Sequence, residues 1–353
     1  MNTKIFKIAP QNIENQIDDI KTAAEILSSG ELVVFPTETV YGLGGDARNP
    51  EAAKKIYSAK GRPSDNPLIV HIADPSEAEF YTYTNPLYYK LAEVFMPGPL
   101  TVILRAKDTL PKETRGGLET VAIRCPSDPI ANTLIKLSGV PIAAPSANLS
   151  GSPSPTNARH VIEDMDGRVA AIIDGGDCDF GLESTIVKIE DDDTLTLLRP
   201  GKITVDELSL IANVTVASAV TAALEAGQVA LSPGMKYRHY APKAPLVLLD
   251  GEIEDCITYI KRCEEKHIAI LCYSDDIEIF SRDLSYAKLF ELGRRDDMNA
   301  QAHSLFSLLR DADKFDFEMI YAPLPTKEGV GLALYNRLIR AAAHRIVKVE
   351  KDG

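Results

Sequence analysis

The chain has 353 residues and lacks several features that mark well-known protein classes. No apolar run is long enough to span a bilayer, and the first residues, MNTKIFKIAPQN, lack the apolar stretch of a signal peptide. The five cysteines form no C-x-x-C pair, and the six histidines form no H-E-x-x-H pair. We therefore expect a cytoplasmic protein with reduced thiols, no membrane segment and no zinc site.

Basic residues are also scarce, with 38 Lys and Arg against 51 Asp and Glu, for a formal net charge of −13. A surface that held nucleic acid stably would need a basic stripe, and none is visible. Any anion-binding site must therefore be local. The sequence contains neither a G-x-x-x-x-G-K-[ST] loop nor the H-R-D and D-F-G pair of protein kinases, so a bound ATP would be held in another way.

The length favours two domains, and strands that alternate with helices predict the α/β class for both. We predict a first domain over residues 1–212, with a twisted and mostly mixed sheet. A connector over 213–245 contains SPGMKYRHYAPKAP, which has neither helical nor strand periodicity. Residues 246–353 predict a smaller, Rossmann-like unit. That unit lacks a G-x-G-x-x-G turn, so we assign it no dinucleotide.

Three loops of the first domain carry residues suited to ligands. The loop PTETVYGLGGDA (36–47) follows a predicted strand and offers hydroxyls and glycines, although a glycine-rich turn without a ligand fits equally. The turn KGRP (60–63) presents two cations that suit phosphate oxygens, but cations also favour the C-terminus of a helix. The loop PSANLSGSPSPT (145–156) is rich in hydroxyls, which suits phosphate, carboxylate or simply solvent.

Smaller signals accompany these loops. Arg124 and Arg199 each end an apolar predicted strand, where an arginine can bind a carboxylate or form a surface ion pair. Cys125 has no assignable histidine base, which favours a packed thiol over a nucleophile.

Several segments, taken in order, resemble the YrdC-like family of threonylcarbamoyl-AMP synthases. They are PTETVYGLG, KGRP with NPLIVHI, PGPLT, TVAIR, APSAN with SPT, ESTIV and LLRPG. The connector SPGMKYRHYAP and the second α/β domain are similar to the two-domain form of these enzymes. The resemblance implies a YrdC-like catalytic domain followed by a Rossmann-like one. Its motifs are specific up to residue 245 and vague beyond it.

The resemblance also implies a reaction and a set of partners. L-Threonine, bicarbonate or CO2, and ATP with Mg²⁺ on its phosphates would give L-threonylcarbamoyl-AMP and pyrophosphate. The product would supply the threonylcarbamoyl group placed on adenosine 37 of tRNA by a separate transfer complex. A carbamate is already an anionic nucleophile, so the site would need positioning and charge neutralisation more than a strong base.

By position in the family's motifs, the site divides into two groups. The threonine pocket would be formed by Thr37, His71, Arg124, Ala144 and Ser184. The ATP contacts would be Lys60, Ser64, Thr120, Ser146, Asn148, Ser154, Arg199 and Tyr237, with Lys60 and Arg62 as the catalytic cations and no protein ligand assigned to the metal.

Alternatives remain open from the sequence alone. The KGR turn and the aromatic KYRHY segment could hold single-stranded RNA, which the net charge disfavours. Another ATP-using enzyme, such as a carbamoyltransferase acting on a different amine, is also possible. The connector itself could close over the ATP site as a lid, with Tyr237 at the phosphates, or could serve as an ordered strap.

Overall fold

A computed structural model of the chain describes residues 2–222 and 239–349. These residues divide into two compact units, one over 2–150 and 154–220 and the other over 151–153, 221–222 and 239–349. Within the described ranges, no helix is long and apolar enough to cross a membrane. Tyr237 and most of the SPGMKYRHYAP segment lie outside the described residues, so the lid and strap hypotheses both remain predictions.

The first unit is built on one eleven-stranded sheet with both parallel and antiparallel pairs. Its spatial order is β1-β8-β2-β3-β7-β4-β6-β5-β9-β10-β11. The strands are β1 (Lys4–Lys7), β2 (Val33–Phe35), β3 (Gly42–Asp46), β4 (Ile69–His71), β5 (Leu100–Arg105), β6 (Thr120–Arg124), β7 (Ile142–Ala143), β8 (Ala171–Asp174), β9 (Thr185–Ile189), β10 (Thr194–Arg199) and β11 (Asn213–Val216).

The predicted mixed sheet is therefore confirmed. Strand β11 is an addition, since it falls at the start of the predicted connector and pairs in parallel with β10.

Eight α-helices accompany this sheet in the described part of the unit, and local signals in the sequence explain where several of them begin and end. Asn49 caps a helix by accepting a hydrogen bond from the Glu51 amide at 2.9 Å, and Gly61 ends that helix with a φ of +61°. The helices are α1 (Ile17–Ser28), α2 (Pro50–Lys60), α3 (Ala78–Tyr81), α4 (Pro86–Phe95), α5 (Lys112–Arg115), α6 (Pro129–Ser138), α7 (Ala158–Met165) and α8 (Val205–Ser209).

The main core of this unit lies between the sheet and helices α1 and α6. Leu27 of α1 and Leu134 of α6 are fully buried against Val33, Ile142 and Ile173 of three strands. Burying a leucine side chain contributes about 1.5–3 kcal/mol. This packing holds one side of the sheet rigidly and so fixes the strand ends from which the functional loops emerge.

The second unit is a five-stranded sheet in which every pairing is parallel. Its order is β14-β13-β15-β12-β16, which confirms the predicted Rossmann-like layering. The strands are β12 (Leu246–Asp250), β13 (Ile268–Tyr273), β14 (Lys288–Gly293), β15 (Met319–Pro323) and β16 (Ile346–Lys348). The helices are α9 (Ile253–Arg262), α10 (Ile277–Asp283), α11 (Met298–Ala312) and α12 (Gly331–Ala341).

Candidate active site

A row of polar side chains crosses one face of the first unit's sheet. The ladder places His71 of β4 opposite Arg124 of β6, and Arg124 opposite Thr101 of β5. The row continues through Ile186 of β9 to Arg199 of β10. Because directly paired residues of adjacent strands point to the same face, strand register alone brings two predicted threonine-pocket residues and one predicted ATP contact onto one surface.

At the centre of this row, Arg124 forms a buried ion pair. Its Nη2 lies 2.8 Å from Oε1 of Glu38, and both side chains are less than a tenth exposed. The same nitrogen lies 3.4 Å from Oγ1 of Thr37. The guanidinium therefore already holds one carboxylate and one hydroxyl, which is the chemistry needed to bind an amino acid.

Thr37 is positioned by its own loop. Its hydroxyl donates to the Val40 carbonyl at 2.7 Å, and the Thr39 and Val40 amides point toward it at 3.2 and 3.3 Å. The Thr39 hydroxyl lies 2.9 Å away. This compact turn explains why a PTETV sequence is needed, since the threonines satisfy the backbone of a loop that is itself buried.

His71 is neutral at physiological pH. Burial, and next the positive charge of Arg124, lower the pKa of His71 from about 6.5 to about 3. Its Nδ1 lies 3.2 Å from the Ile69 carbonyl, and its ring meets Phe35 edge-on. A second positive charge beside Arg124 is thereby avoided, and the imidazole can serve as an uncharged hydrogen-bonding group.

Ser184 links the row to Arg199. The hydroxyls of Thr101 and Ser184 lie 2.8 Å apart, and Arg199 contacts Ser184 twice, from Nη2 to the hydroxyl and from Nε to the carbonyl, each at 3.0 Å. All three residues are buried. The predicted threonine and ATP groups therefore share a hydrogen-bonded boundary at Ser184.

The loops around this face are joined through their backbones. The Leu43 amide donates to the Pro145 carbonyl, the Ala147 amide to Tyr41, and the Phe180 amide to Glu38. Ala144 is buried at the start of the serine loop, and its amide donates to Ile69 at 2.9 Å. The segments 36–41, 144–147 and 178–181 thus form one continuous wall.

Lys60 is buried at the end of α2 and contacts the serine loop rather than solvent. Its Nζ donates to the carbonyls of Ser146 and Asn148 at 2.5 and 2.6 Å and to Asn148 Oδ1 at 3.2 Å. The Ser146 hydroxyl donates to the same Asn148 oxygen at 2.5 Å. The structure therefore brings three predicted ATP residues together and gives Lys60 a role in shaping the loop.

The KGRP turn carries a second cation close to its own chain. Arg62 is buried, with Nη2 3.4 Å from the carbonyls of Asn66 and Pro67, whereas Ser64 is exposed in the same turn. Asn66 is 1% exposed, and neither atom of its side-chain amide has a hydrogen-bond partner within residues 2–222 and 239–349. The turn thus presents a buried side-chain amide, that of Asn66, which no described protein group satisfies.

Arg115 belongs to helix α5, whose C-terminal end packs next to the residues that follow the KGRP turn. The Leu68 amide donates to the Thr114 carbonyl at 3.1 Å, and Gly116 packs against the backbone of Asn66 and Pro67. Arg115 is 4% exposed, and its Nε has no partner among the described residues. An unsatisfied N–H of a buried arginine is costly, and a bound anion is one partner that could satisfy it.

Two further predicted ATP contacts, Ser154 and Thr120, lie outside the hydrogen-bonded groups described above. Ser154 is fully buried, and its hydroxyl donates to Glu183 Oε1 at 2.5 Å. Thr120 begins β6 and lies on the same strand face as Arg124, partly exposed. In the described chain, neither Thr120 nor Ser64 makes a side-chain hydrogen bond to another predicted site residue.

Sequence reasoning missed several residues of this region. Glu38 lies between the two threonines that drew attention to its loop, and Thr101 ends the PGPLT motif, so both were visible but unassigned. Arg115 carries no such signal, because KETRGG reads as an ordinary helix end. Its burial depends on how two distant segments pack.

Neither the thiols nor clusters of acidic residues supply another reaction centre. All five cysteines are free, and Cys125 is fully buried with its pKa raised to about 12 by burial, which agrees with a packed thiol. Across residues 2–222 and 239–349, no group of three or more His, Cys, Asp or Glu side chains could hold a metal ion.

Comparison with known proteins agrees with this architecture. Residues 25–201 match the family described as "Telomere recombination", and residues 203–343 match the family described as "Threonylcarbamoyl-AMP synthase, C-terminal domain". The threonylcarbamoyl-AMP synthase of Bacillus subtilis is 46% identical over 93% of this chain and 94% of its own length. The synthase of Pyrococcus abyssi is 41% identical over 96% and 98%.

A solved structure has the same two-unit fold. The chain superposes on Pyrococcus abyssi Sua5 complexed with L-threonine with a TM-score of 0.85, at 39% identity, over 99% of this chain and 100% of that one. The similarity therefore covers both units and not only the catalytic motifs. The chain belongs to the threonylcarbamoyl-AMP synthase family of nucleotidyltransferases, in its two-domain Sua5 form.

Proposed function

We propose that the chain is an L-threonylcarbamoyladenylate synthase, which converts L-threonine, bicarbonate or CO2, and ATP into L-threonylcarbamoyl-AMP and pyrophosphate. The observation that carries the proposal is the buried Arg124–Glu38 pair with Thr37, on the face where Ser184 and Arg199 also meet. This face combines a carboxylate-binding cation with hydroxyls, as recognition of an amino acid requires. The names of the relatives and the threonine-bound neighbour support the substrate.

The threonine pocket would use Arg124 for the α-carboxylate. The guanidinium has five N–H groups, so it can bind the substrate while still contacting Glu38. Thr37, the neutral His71 and Ser184 would then surround the amine and the side-chain hydroxyl, and Ala144 would limit the space for the methyl group. A pocket that hydrogen-bonds a hydroxyl rejects an analogue without it far more strongly than one that lacks only a methyl group.

The chemistry requires two bond-forming steps. The threonine nitrogen attacks the carbon of CO2 and loses a proton, which gives an anionic carbamate. A carbamate oxygen then attacks the α-phosphorus, the bond to the oxygen bridging the β-phosphate breaks, and pyrophosphate leaves. Since the nucleophile is already charged, the protein contributes orientation, neutralisation of the phosphates and exclusion of water. The absence of a Ser-His-Asp set among the candidate residues fits this demand.

MgATP would occupy the region bounded by the serine loop, the KGRP turn and Arg199. Lys60, Ser146, Asn148 and Ser154 would hold the nucleotide through the loop that they shape. Mg²⁺ keeps most of its ligands as water and phosphate oxygens, so the lack of a carboxylate cage in the described chain is compatible with an ion that arrives with the nucleotide.

The leaving pyrophosphate needs the most positive charge. Arg62 and Arg115 are buried arginines in or next to the KGRP turn, and the buried Asn66 amide lies in the same region. We assign these residues to the β- and γ-phosphates. Ser64, Thr120 and Tyr237 remain proposed ATP contacts on the basis of the family's motifs.

The biological context follows from the product. L-Threonylcarbamoyl-AMP would serve N6-threonylcarbamoylation of adenosine 37 in tRNA, in the cytoplasm. A mixed anhydride hydrolyses readily, so a downstream transfer complex would have to consume it promptly. The net charge of −13 argues that this chain does not itself hold tRNA stably.

Pyrophosphate release from ATP tests the proposal. Release should require both L-threonine and bicarbonate, and serine should be the best substitute, because a lost methyl group costs about 1–3 kcal/mol. Valine should be poor. Equal release with valine, or release driven by another amine, would instead favour a different carbamoyltransferase. Salt-dependent RNA binding without ATP turnover would favour the RNA-binding alternative.

A further inference from the structure

The second unit contains a cavity that none of the sequence motifs marks. Its volume is about 140 Å³, and it is bounded by the carboxyl ends of β13 and β15 and by the loop between β12 and α9. Residues Ile270 and Tyr273 of β13, Tyr321 and Ala322 of β15, and Phe280 of α10 contribute to its lining. The cavity is therefore at the edge of the sheet where parallel strands end.

The topology makes this edge a preferred ligand position. The chain leaves β13 toward β14 on one side of the sheet, and it leaves β15 toward β16 on the other side. These connections diverge, so a crevice opens between two adjacent strands. Open parallel sheets bind ligands at such points, whether or not a glycine-rich fingerprint is present.

The apolar part of the cavity lining suits one planar ring. Ile270 and Ala322 are each 2% exposed, and Tyr321 is also buried. A cavity of about 150 Å³ with a similar aliphatic and aromatic lining binds benzene. The ring system of a nucleobase is the common metabolite fragment of this shape, with its far edge left at the mouth of the cavity.

The rim is acidic, which selects against phosphate. Glu252 and Asp276 line the cavity, and Glu254 and Asp255 lie in the first turn of α9. Arg295 is the cation of the lining, and it is engaged by Asp276 at 2.6 Å and by the ring of Tyr273, 4.5 Å from its centroid. A phosphate would meet the carboxylates of Glu252 and Asp276 and an arginine that Asp276 already engages, whereas ribose hydroxyls would find acceptors.

We propose that this crevice binds an uncharged nucleoside, with the base in the apolar cavity and the ribose hydroxyls donating to Glu252 and Asp276. The site is separate from the proposed synthase chemistry and does not depend on it. It also differs from a dinucleotide site, since the missing glycine turn and the acidic rim both remove the features that hold a pyrophosphate.

Calorimetric titration of the full chain with adenosine tests this site. The titration is run with saturating non-hydrolysable ATP and L-threonine, so that adenosine cannot report binding at the first unit. We expect saturable binding of adenosine, at least tenfold weaker binding of AMP, and no binding of ribose. Absence of adenosine binding, or AMP binding of equal strength, would overturn the proposal.

A matched pair of variants locates the binding. Glu252→Gln removes a lining carboxylate whose side chain makes no helix-capping hydrogen bond, and Glu254→Gln removes a charge two residues along the same helix. Loss of one charge-assisted hydrogen bond should weaken adenosine binding by roughly tenfold to a hundredfold in Glu252→Gln only. Equal weakening in both variants would mean that general charge, rather than a built site, attracts the nucleoside. Pyrophosphate release should be unchanged in both.

Discussion

The two units differ in which elements carry their buried charged side chains. In the first, a mixed sheet carries arginines and hydroxyls on the interior of one face, where Arg124 and Glu38 are both buried. In the second, the strands of an all-parallel sheet are mostly apolar, the buried arginines Arg310 and Arg337 come from helices α11 and α12, and Arg295 beside the cavity is 59% exposed. Buried charge on a sheet face suits chemistry on anions, while a cavity with apolar walls and acidic residues in its lining suits a neutral ring.

The comparison also shows what kind of signal each arrangement leaves in a sequence. Buried polar residues must be satisfied, so they occur with particular loop residues and form long motifs such as PTETV and TVAIR. An apolar cavity at a sheet edge needs only ordinary strand residues. The catalytic face of the first unit is therefore marked by sequence motifs, whereas the cavity of the second unit is marked only by its topology.

The largest expected effect contrasts the two ion pairs. Glu38→Gln leaves Arg124 buried without a counter-charge, which should lower the free energy of unfolding by about 3–5 kcal/mol. Asp276→Asn breaks a pair whose arginine is largely in water, and should cost about 1 kcal/mol or less. Chemical denaturation of both variants measures the difference.

L-Threonine sharpens this test. If Arg124 binds the substrate carboxylate, saturating L-threonine should restore much of the lost stability in Glu38→Gln, and should stabilise it more than it stabilises the parent protein. L-Threonine should leave the Asp276→Asn protein no more stabilised than the parent. Equal stabilisation of Glu38→Gln and the parent would contradict the assignment of Arg124.

The next effect concerns Lys60 and the serine loop. Lys60→Ala should reduce kcat/KM for ATP by roughly tenfold to a hundredfold, since a charge-assisted contact contributes about 1.5–3 kcal/mol. The structure suggests an indirect cause of this loss, because Lys60 donates hydrogen bonds to the Asn148 carbonyl and side chain and so holds the serine loop in place. If that indirect cause dominates, Asn148→Ala should have a similar effect, and the double variant should lose little more than either single one.

Additive losses would show instead that Lys60 and Asn148 contribute separately, with Lys60 acting on the phosphates directly. A folded Lys60→Ala protein with parental kinetics would remove Lys60 from the site altogether. The exposed Lys54, on the same helix and paired with Glu51, provides the control, and Lys54→Ala should leave the kinetics unchanged.

Some features of this structure can be predicted from the sequence alone, and others cannot. The helix start at Asn49, the helix end at Gly139 and the alternation of strands and helices were all predictable, because caps and periodicity are local. The row from His71 to Arg199 was not, since it depends on the register of five strands far apart in the chain. Resemblance to a family supplied the residues, and the structure supplied the reason that they meet.

Sequence patterns also fail to predict short elements and residues that lie outside the motifs. The sequence does not predict helix α10, because a helix of seven residues gives little periodicity, and it places β11 within the predicted connector. Arg115 became notable only once its burial beside the KGRP turn was seen. Packing between distant segments is the information that a single sequence withholds.

The smallest expected effect is a pH dependence that arises in the first unit. Burial lowers the pKa of His71 to about 3 and raises the pKa of Asp128 to about 6. Between about pH 4 and 6 the unfolded chain holds an extra proton at His71, whereas the folded chain holds an extra proton at Asp128. The extra proton at His71 of the unfolded chain makes the free energy of unfolding fall on acidification, and the extra proton at Asp128 of the folded chain makes it rise. The two contributions to the pH dependence of stability should therefore largely cancel.

Asp128→Asn should reveal the pH dependence of stability that arises from His71. The substitution can keep the helix cap, because Asp128 accepts the Ala131 amide through a side-chain oxygen that asparagine retains. The free energy of unfolding should then fall from pH 6 to pH 4 by up to about 1.4 kcal/mol per pH unit more steeply than in the parent. Asp74→Asn is the matched control, since hydrogen bonds from Ser76 lower the pKa of that exposed cap and place its titration below this window. Denaturation curves at several pH values decide the point. Parallel pH profiles for Asp128→Asn and the parent would mean that burial does not raise the pKa of Asp128. A flat profile for Asp128→Asn between pH 6 and pH 4 would mean that His71 is not held neutral by burial, and would weaken its place in an uncharged, hydroxyl-binding pocket.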